Sequence, residues 1–554
     1  MAQETYESAQ IASTDLNGTA RYVGMGGAME ALGADISTIS TNPAGIGLFR
    51  RSWIGVSAGA TIQNGDKTQT QILDKSGITN ADLNQIGAIY SMQTGAQSFL
   101  NVGFNFQKSR NFNQILSAYS EYDESLATSL SKSTALMGYG YTEYDYVPVT
   151  HQLVFDTYNN LIPRTENESE PDNSKKYSGY PYANSNKYLA QRELSGYVGN
   201  YDFNISGNIK NRIFLGISFG LKNIIYRSDS YYTENLLSAH YLEPNEYTDP
   251  ININNNYSNE LGIRDNRKVT GSGFDIKLGA IFRPIEDSPF RIGFYIHTPT
   301  WYKLTCTSTM YAYGFGDYEA IKYKMVDNVP VVQSRNMQSF NSDNESIYNT
   351  YEYRYDYKIN TPWRFGASVG HTFGSQVAIG ATYEFADYSS IKNKVKNGYY
   401  YSDYYGDYYD NYDSDKAMDN NTNNSLKGVH TLKIGVEAKP VPEVAIRMGY
   451  NYVSAIYEDS GYKALDQYSP GYEYCMADYT NWKGVNRITF GLGFSLSKNV
   501  NLDFAYQYAT QKGTYHPYCD YSLMINDTKY DVVAPTTEVK NDRHQLNCTL
   551  SYKF

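Results

Sequence analysis

Ionisable side chains recur on the polar phase of alternating stretches, and these are the residues whose types and spacing can do chemistry. Asp275 and Lys277 share one such stretch, Arg291 and His297 the next, then Glu384, then Lys433 and Glu437, then Arg447. Opposite charges on neighbouring strands pair across the ladder. Glu437 and Arg447 lie on the two arms of a hairpin that turns at 440–443, so an ion pair is expected between them. One by one, such residues are what any water-facing wall carries. As a group they either set the polarity of a passage or supply partners to the backbone of an irregular segment. Catalysis finds no support, because no Gly-x-Ser-x-Gly, His-Glu-x-x-His or phosphate-cradling loop occurs in a fitting context, and the chain is not read as an enzyme. Of the seven histidines only His297 clearly takes the inward phase, which reads as a hydrogen-bonded wall residue rather than a haem ligand. No Cys/His spacing suggests a metal, and no cofactor is implied. Cys306 and Cys548 take outward phases of distant strands and should not pair. Cys475 and Cys519 fall in successive loops on one side, as a bridge or as two thiols.

The elements that position these groups are short alternating segments. The 554 residues include 58 tyrosines, 15% aromatic and only 19% charged residues, with a mean hydropathy of −0.55. No run of 18 apolar residues is present, so no transmembrane helix is expected. A closed barrel is the other way to satisfy a backbone in lipid. A polar average with abundant aromatics suits strands that show lipid one face and water the other. A tyrosine-rich adhesive or disordered protein would not alternate to its last residue. The net charge of −11, much of it at 399–419, argues against nucleic acid. Met1-Ala2-Gln3-Glu4 reads as a mature start with an added methionine, export being inferred.

Fourteen strands are expected at 52–63, 84–93, 99–108, 193–207, 211–228, 270–284, 289–306, 353–373, 376–390, 428–439, 443–457, 484–497, 499–512 and 541–554. Ile488, Phe490, Leu492, Phe494 and Leu496 against Thr489, Gly491, Gly493 and Ser495 show the pattern. Tight turns alternate with long loops near 64–83, 109–192, 229–269, 307–352, 391–427, 458–483 and 513–540. Bacterial barrels have short periplasmic turns and long external loops. The fold class is therefore all-β, a 14-stranded antiparallel transmembrane β-barrel over 52–554. The last strand closes on Phe554, and a terminal aromatic there resembles the signal read by the barrel-assembly machinery.

Residues 1–51 differ. A short helix is expected over 6–12, and between Thr19 and Phe49 glycines stand at 24, 26, 27, 33, 45 and 47. Glycine permits close backbone approach and positive φ, and Pro43 turns Asn42 away from helix. Irregular backbone survives at membrane depth only inside protein or along a cavity, so this segment is placed in the lumen as a plug. Ala20-Arg21, Gly24-Met25-Gly26-Gly27-Ala28, Asp35 and Asn42-Pro43-Ala44-Gly45 together resemble the N-terminal hatch of the FadL/TodX-type outer-membrane transporters of hydrophobic compounds. The Asn-Pro-Ala motif just before the first strand is that family's hallmark. The resemblance covers the hatch and the last strand by motif and the middle by architecture.

The resemblance implies a 14-stranded barrel in the bacterial outer membrane, in contact with its lipid and lipopolysaccharide. It also implies passive uptake of a hydrophobic small molecule of fatty-acid or aromatic type, first caught in an external groove. Ile115, Leu116, Tyr119, Leu126 and Leu130 recur at near-helical spacing within 113–136 and are candidates for that groove, or pack the loop onto the rim. A second helix fits 151–162. Arg21 and Asp35 are the hatch's natural partners for the wall charges. The family's lateral exit lies near the third strand, where Gly103 weakens packing. The tyrosine-rich stretch 399–412 offers a flat contact surface, a calcium site or simply a variable loop. The rival readings are a shuttle or surface-attachment module for secreted proteins, and a plain receptor barrel.

Overall fold

The computed structural model describes residues 4–64, 77–122, 130, 180–242, 259–326, 329–341, 349–402, 407–463, 476–525 and 528–554. It is a closed, 14-stranded, all-antiparallel barrel. The first strand, Trp53–Asn64, closes it by pairing with the last, Thr537–Lys553, from Trp53 opposite Lys553 to Gln63 opposite Arg543. Sequential neighbours pair everywhere else, so the topology is up-and-down and no membrane-buried edge is left open. Ile54, Leu215, Phe219, Ile434, Phe490 and Leu550 are exposed on the outside, whereas Asn204, Ser218, Lys433 and Thr489 are buried inside. That inversion of the usual burial rule marks a lipid-facing wall.

The wall runs well past a membrane. The strands Tyr180–Ile209 and Ile213–Leu242 have 30 residues each, where a tilted span needs about 9–11. From 213 to 235 of the second of these strands the even positions face inward, but their chemistry changes. Near the tight turn they include Gly216, Ser218 and Gly220, with Leu215, Phe219 and Leu221 outside; farther along they include Ile224, Tyr226 and Tyr232, with Asn223, Arg227 and Asp229 outside. Above the bilayer the outer face meets water, so the apolar phase moves to the interior. This is why much of the chain expected as loop is strand. The extensions include Gln114–Glu121, Trp301–Val326, Val329–Asn341, Lys392–Ser402 and Asp407–Ser414, with the helix Lys416–Ser425 between. Two aromatic layers fill this extension, one including Tyr188, Tyr232, Tyr515 and Tyr518, the other Tyr226, Tyr355, Tyr357 and Tyr457.

Two further expectations need correction. Residues 114–121 form a strand that continues the third stave, not part of a helix over 113–136; the second expected helix, 151–162, lies outside the described residues. Cys306 is buried and faces inward. In the strand Arg291–His297 the inward residues are odd-numbered, but three residues, 298–300, stand opposite only 275–276, and the extra residue flips the phase so that Tyr302, Leu304 and Cys306 turn in. Gly103 sits in a paired stretch of the wall. Its strand pairs continuously on both sides from Phe99 to Gln107, and Ile39 of the N-terminal segment packs beneath it. Cys548 lies on the outward phase; Cys519 is a buried thiol and Cys475 is outside the described residues.

Candidate functional site

The lumen is occupied by residues 4–49 of the same chain. The helix Thr5–Ala12 stands within the aromatic extension, with Tyr6 stacked on Tyr457 at 4.7 Å and its hydroxyl donating to Asn481 at 2.7 Å. Its Glu7 pairs with Arg267 at 3.1 Å, both buried. The chain then descends towards the tight turns as three short helical pieces, each begun by a side-chain cap. The Thr19 hydroxyl accepts from the Tyr22 amide, the Asp35 carboxylate from Ser37, and the Asn42 amide oxygen from Ala44. Pro43 takes the first-turn position where its missing N–H costs nothing.

The Asn-Pro-Ala motif is pressed onto the wall. Pro43 carbonyl accepts from Ser206 at 2.7 Å, and Asn42 Nδ2 donates to the Glu30 carbonyl at 3.1 Å. Gly216 and Gly279 of the wall come so close to 42–44 that a Cβ at either would collide with backbone or with Asn42, and Gly45 packs against Thr38. Likewise Gly435 and Gly449 admit the backbone of Met25 and Gly26, the latter at φ +62°. The small inward residues of the strands are thus contact points for the enclosed segment.

Ion pairs complete the attachment. Arg21 binds Glu437 through Nε at 3.0 Å and Nη2 at 3.1 Å; Glu437 also accepts from Arg447 at 2.7 Å, and Arg447 reaches Asp503 at 2.7 Å. Arg291 donates to the Leu32 carbonyl at 2.7 Å, and the His297 ring nitrogen lies 2.6 Å from the Thr41 carbonyl. Lys277 bridges Asp202 at 2.6 Å and Asp275 at 2.7 Å, and Asp202 accepts from Ser40. Glu384 accepts from Tyr295 and Arg364, and Arg364 donates to the Ala12 carbonyl at 2.8 Å. Asp35 meets no wall cation in an ion pair among the described residues; it caps its own segment and accepts from Thr19 at 2.8 Å. Besides Glu7, sequence reasoning missed two further carboxylates of the enclosed segment. Glu30, fully buried, accepts from Lys433 at 2.7 Å, Thr382 at 2.7 Å and Tyr22 at 3.0 Å. Asp15 meets Arg110 at 2.8 Å and accepts from the Asn111 amide at 3.0 Å. Burial alone would raise the Asp15 pKa, but Arg110, Arg543 and Arg487 together hold it near about 2. The wall residues Asp202, Arg487 and Asp503 do carry a signal, since all sit on the polar phase of their strands.

Ile115 and Leu116 are buried, and Leu116 and Leu130 belong to one apolar cluster inside the extension; the Tyr119 hydroxyl donates to Glu121, and Leu126 is outside the described residues. Between the helix Thr5–Ala12 and the lower pieces lies a cavity of about 200 Å³. Tyr22, Tyr302, Tyr388, Tyr457 and Trp482 line it beside seven lysines and arginines and only three carboxylates, Asp15, Asp275 and Glu384. The cavity therefore offers aromatic surface and an excess of positive charge.

No family model and no curated protein matches the chain. Solved structures are similar to it. The toluene transporter TbuX of Ralstonia pickettii aligns at 13% identity and a TM-score of 0.44, over 98% of this chain and 99% of that one. The toluene transporter TodX of P. putida aligns at 11% and 0.44, over 98% and 99%. A Pseudomonas aeruginosa FadL homologue aligns at 11% and 0.45, again over 98% and 99%.

Proposed function

We propose that the chain is a passive channel of the bacterial outer membrane for a small hydrophobic molecule, with residues 1–51 as a movable hatch in the barrel 52–554. The carrying observation is the cavity beside the enclosed segment. At about 200 Å³ it falls below the roughly 300–1,000 Å³ of ordinary ligand sites. A ligand of that class fits only if part of residues 4–49 yields. The segment is built to do so, since short capped pieces and separate ion pairs hold it where one continuous apolar core would not. The tight turns then face the periplasm, and the long extension stands above the lipopolysaccharide, which bars apolar solutes. The cation-rich lining favours an amphiphile of fatty-acid type over a bare aromatic hydrocarbon. The partners of this reading are that solute, outer-membrane lipid and lipopolysaccharide, and the assembly machinery through Phe554. No reaction is assigned.

Proteoliposomes carrying the protein should take up labelled decanoate or 1-decanol faster than empty vesicles, and equal rates for both solutes would overturn the reading. The second reading, a shuttle or attachment module for secreted proteins, draws on the length of the external wall. It requires a stoichiometric protein partner in a pull-down from native membranes, where a channel yields lipid or detergent.

A further inference from the structure

Three arginines from three separate strands converge on one carboxylate of the hatch. Arg110 Nη1 stands 2.8 Å from Asp15, Arg487 Nη2 3.6 Å and Arg543 Nη1 3.9 Å. Only the first distance is a hydrogen bond. Arg487 also donates to Asn451 at 3.0 Å, and Asp15 is the one ion-pair partner of Arg543 among the described residues. All three line the cavity. Three guanidinium groups at one carboxylate leave two positive charges uncompensated in a buried place, a costly arrangement without a further anion.

Unmet hydrogen-bonding capacity surrounds the same spot. Arg110 Nε, a donor, is buried without a partner; the unpaired amide atoms of Gln507 and Asn541, both more than nine-tenths buried on the cavity wall, are their oxygens, which accept. Guanidinium forks, one with a donor to spare, form the recognition chemistry of a carboxylate.

We propose that Arg110, Arg487 and Arg543 form a carboxylate site that Asp15 occupies as a built-in competitor, so that an incoming carboxylate enters by taking the arginines from the hatch. The proposal rests on the uptake reading for its purpose, but its chemistry is local. Asp15 follows directly on 12–14, whose contacts to the wall run through Arg364, and its own amide donates to Ser109 at 2.7 Å. Losing the arginines removes the charged hold on the stretch between the helix Thr5–Ala12 and Thr19 and leaves it on neutral bonds, Asp15 with Ser109 and Asn17 with Lys108 and Gln107, and this loosens the cavity wall at the point of entry. Binding and opening then become one exchange of anions. An uncharged solute has nothing to exchange.

The test uses the full chain in lipid nanodiscs, titrated calorimetrically with decanoate, benzoate and 1-decanol. Asp15→Asn vacates the site without changing its size. It should tighten decanoate at least about tenfold, because the competing state no longer reduces the binding-competent fraction, and leave 1-decanol unchanged. Arg487→Gln with Arg543→Gln should abolish that gain. A matching gain for benzoate assigns recognition to the head group alone, and a gain for decanoate only assigns it to an acyl carboxylate. Equal affinities of the Asp15→Asn and unsubstituted chains for both carboxylates overturn the proposal. Should Asp15→Asn fail to fold, hydrogen exchange on the unsubstituted chain decides. Decanoate must speed exchange at 12–18 while 1-decanol does not, and equal exchange overturns it. Faster 1-decanol uptake with no carboxylate gain in Asp15→Asn would sink the anion exchange and leave the channel standing. No uptake of either solute would sink the channel while the titration still reads the arginine site.

Discussion

Arg21 of the enclosed segment and Glu437 of the wall join through two hydrogen bonds, at 3.0 and 3.1 Å, and Glu437 is shared with Arg447. The fork-to-fork geometry fixes orientation as well as distance. Glu437 is buried, whereas Arg21 keeps about a quarter of its side chain exposed. Glu437→Gln should therefore loosen the segment by less than the roughly 3–5 kcal/mol of a fully buried broken pair. A loss of about 2–3 kcal/mol corresponds to some 30- to 150-fold in local opening. Hydrogen exchange at 19–35 should quicken by that order while the barrel stays heat-modifiable on gels. Unchanged exchange would show that the glycine contacts alone hold the segment.

The Asp15 attachment should be blind to pH over the physiological range. The groups facing it are Arg110, Arg487, Arg543 and the Asn111 amide, all favouring the ionised form, which puts its pKa near about 2. A carboxyl depressed on folding stabilises above its unfolded value of about 4, and the contribution is lost as pH falls through the folded value. Exchange at 12–18, corrected for its intrinsic pH dependence, should stay flat from about pH 8 to 5 and rise progressively from about pH 4 down to about pH 2. A midpoint near neutrality would mean that the arginines are not arranged around this carboxylate.

The wall glycines at 435 and 449 yield a steric prediction. A methyl group at Gly435 would meet the Met25 carbonyl, and one at Gly449 the backbone of Met25 and Gly26. Backbone cannot swing aside as a side chain does, so Gly435→Ala should cost the docked state at least about 1–3 kcal/mol. The strand itself gains a residue with a Cβ and keeps its ladder. In planar bilayers the unsubstituted chain should be quiet and Gly435→Ala should show ion-conducting openings. A silent Gly435→Ala would place the seal elsewhere, in the tyrosine layers of the extension.

How much of this was legible depended on which solvent each stretch meets. Within the bilayer the exterior must be apolar and the interior polar or small, and Ile488–Leu496 shows that alternation directly. Beyond the bilayer the same inward phase carries Ile224, Tyr226 and Tyr232, so a search for apolar-out strands stops near the membrane rim. Cys306 was misplaced because one extra residue at 298–300 reverses the phase, and no local pattern announces such a bulge. The wall residues that meet the enclosed segment lie on the polar phase of their strands, but Asp15 and Glu30 carry no such signal. Both lie in aperiodic sequence, where only the three-dimensional path decides which carboxylate meets a cation.

Glu30 is the most deeply placed of these carboxylates. It takes hydrogen bonds from Lys433, Tyr22 and Thr382 and has no exposed surface. Removing its cation in Lys433→Met leaves a buried charge with two neutral donors, which should cost about 3–5 kcal/mol. Neutralising both partners, in Lys433→Met with Glu30→Gln, should restore much of the loss, because a neutral amide accepts from one of the Tyr22 and Thr382 hydroxyls, donates to the other and is cheaper to desolvate. A double-mutant cycle on hatch exchange at 25–35 should therefore give a coupling of about 1–3 kcal/mol. Additive effects would mean that Lys433 neutralises the lumen at large and not Glu30. In that case the tie between Glu30 and the wall would rest on the bond from Thr382.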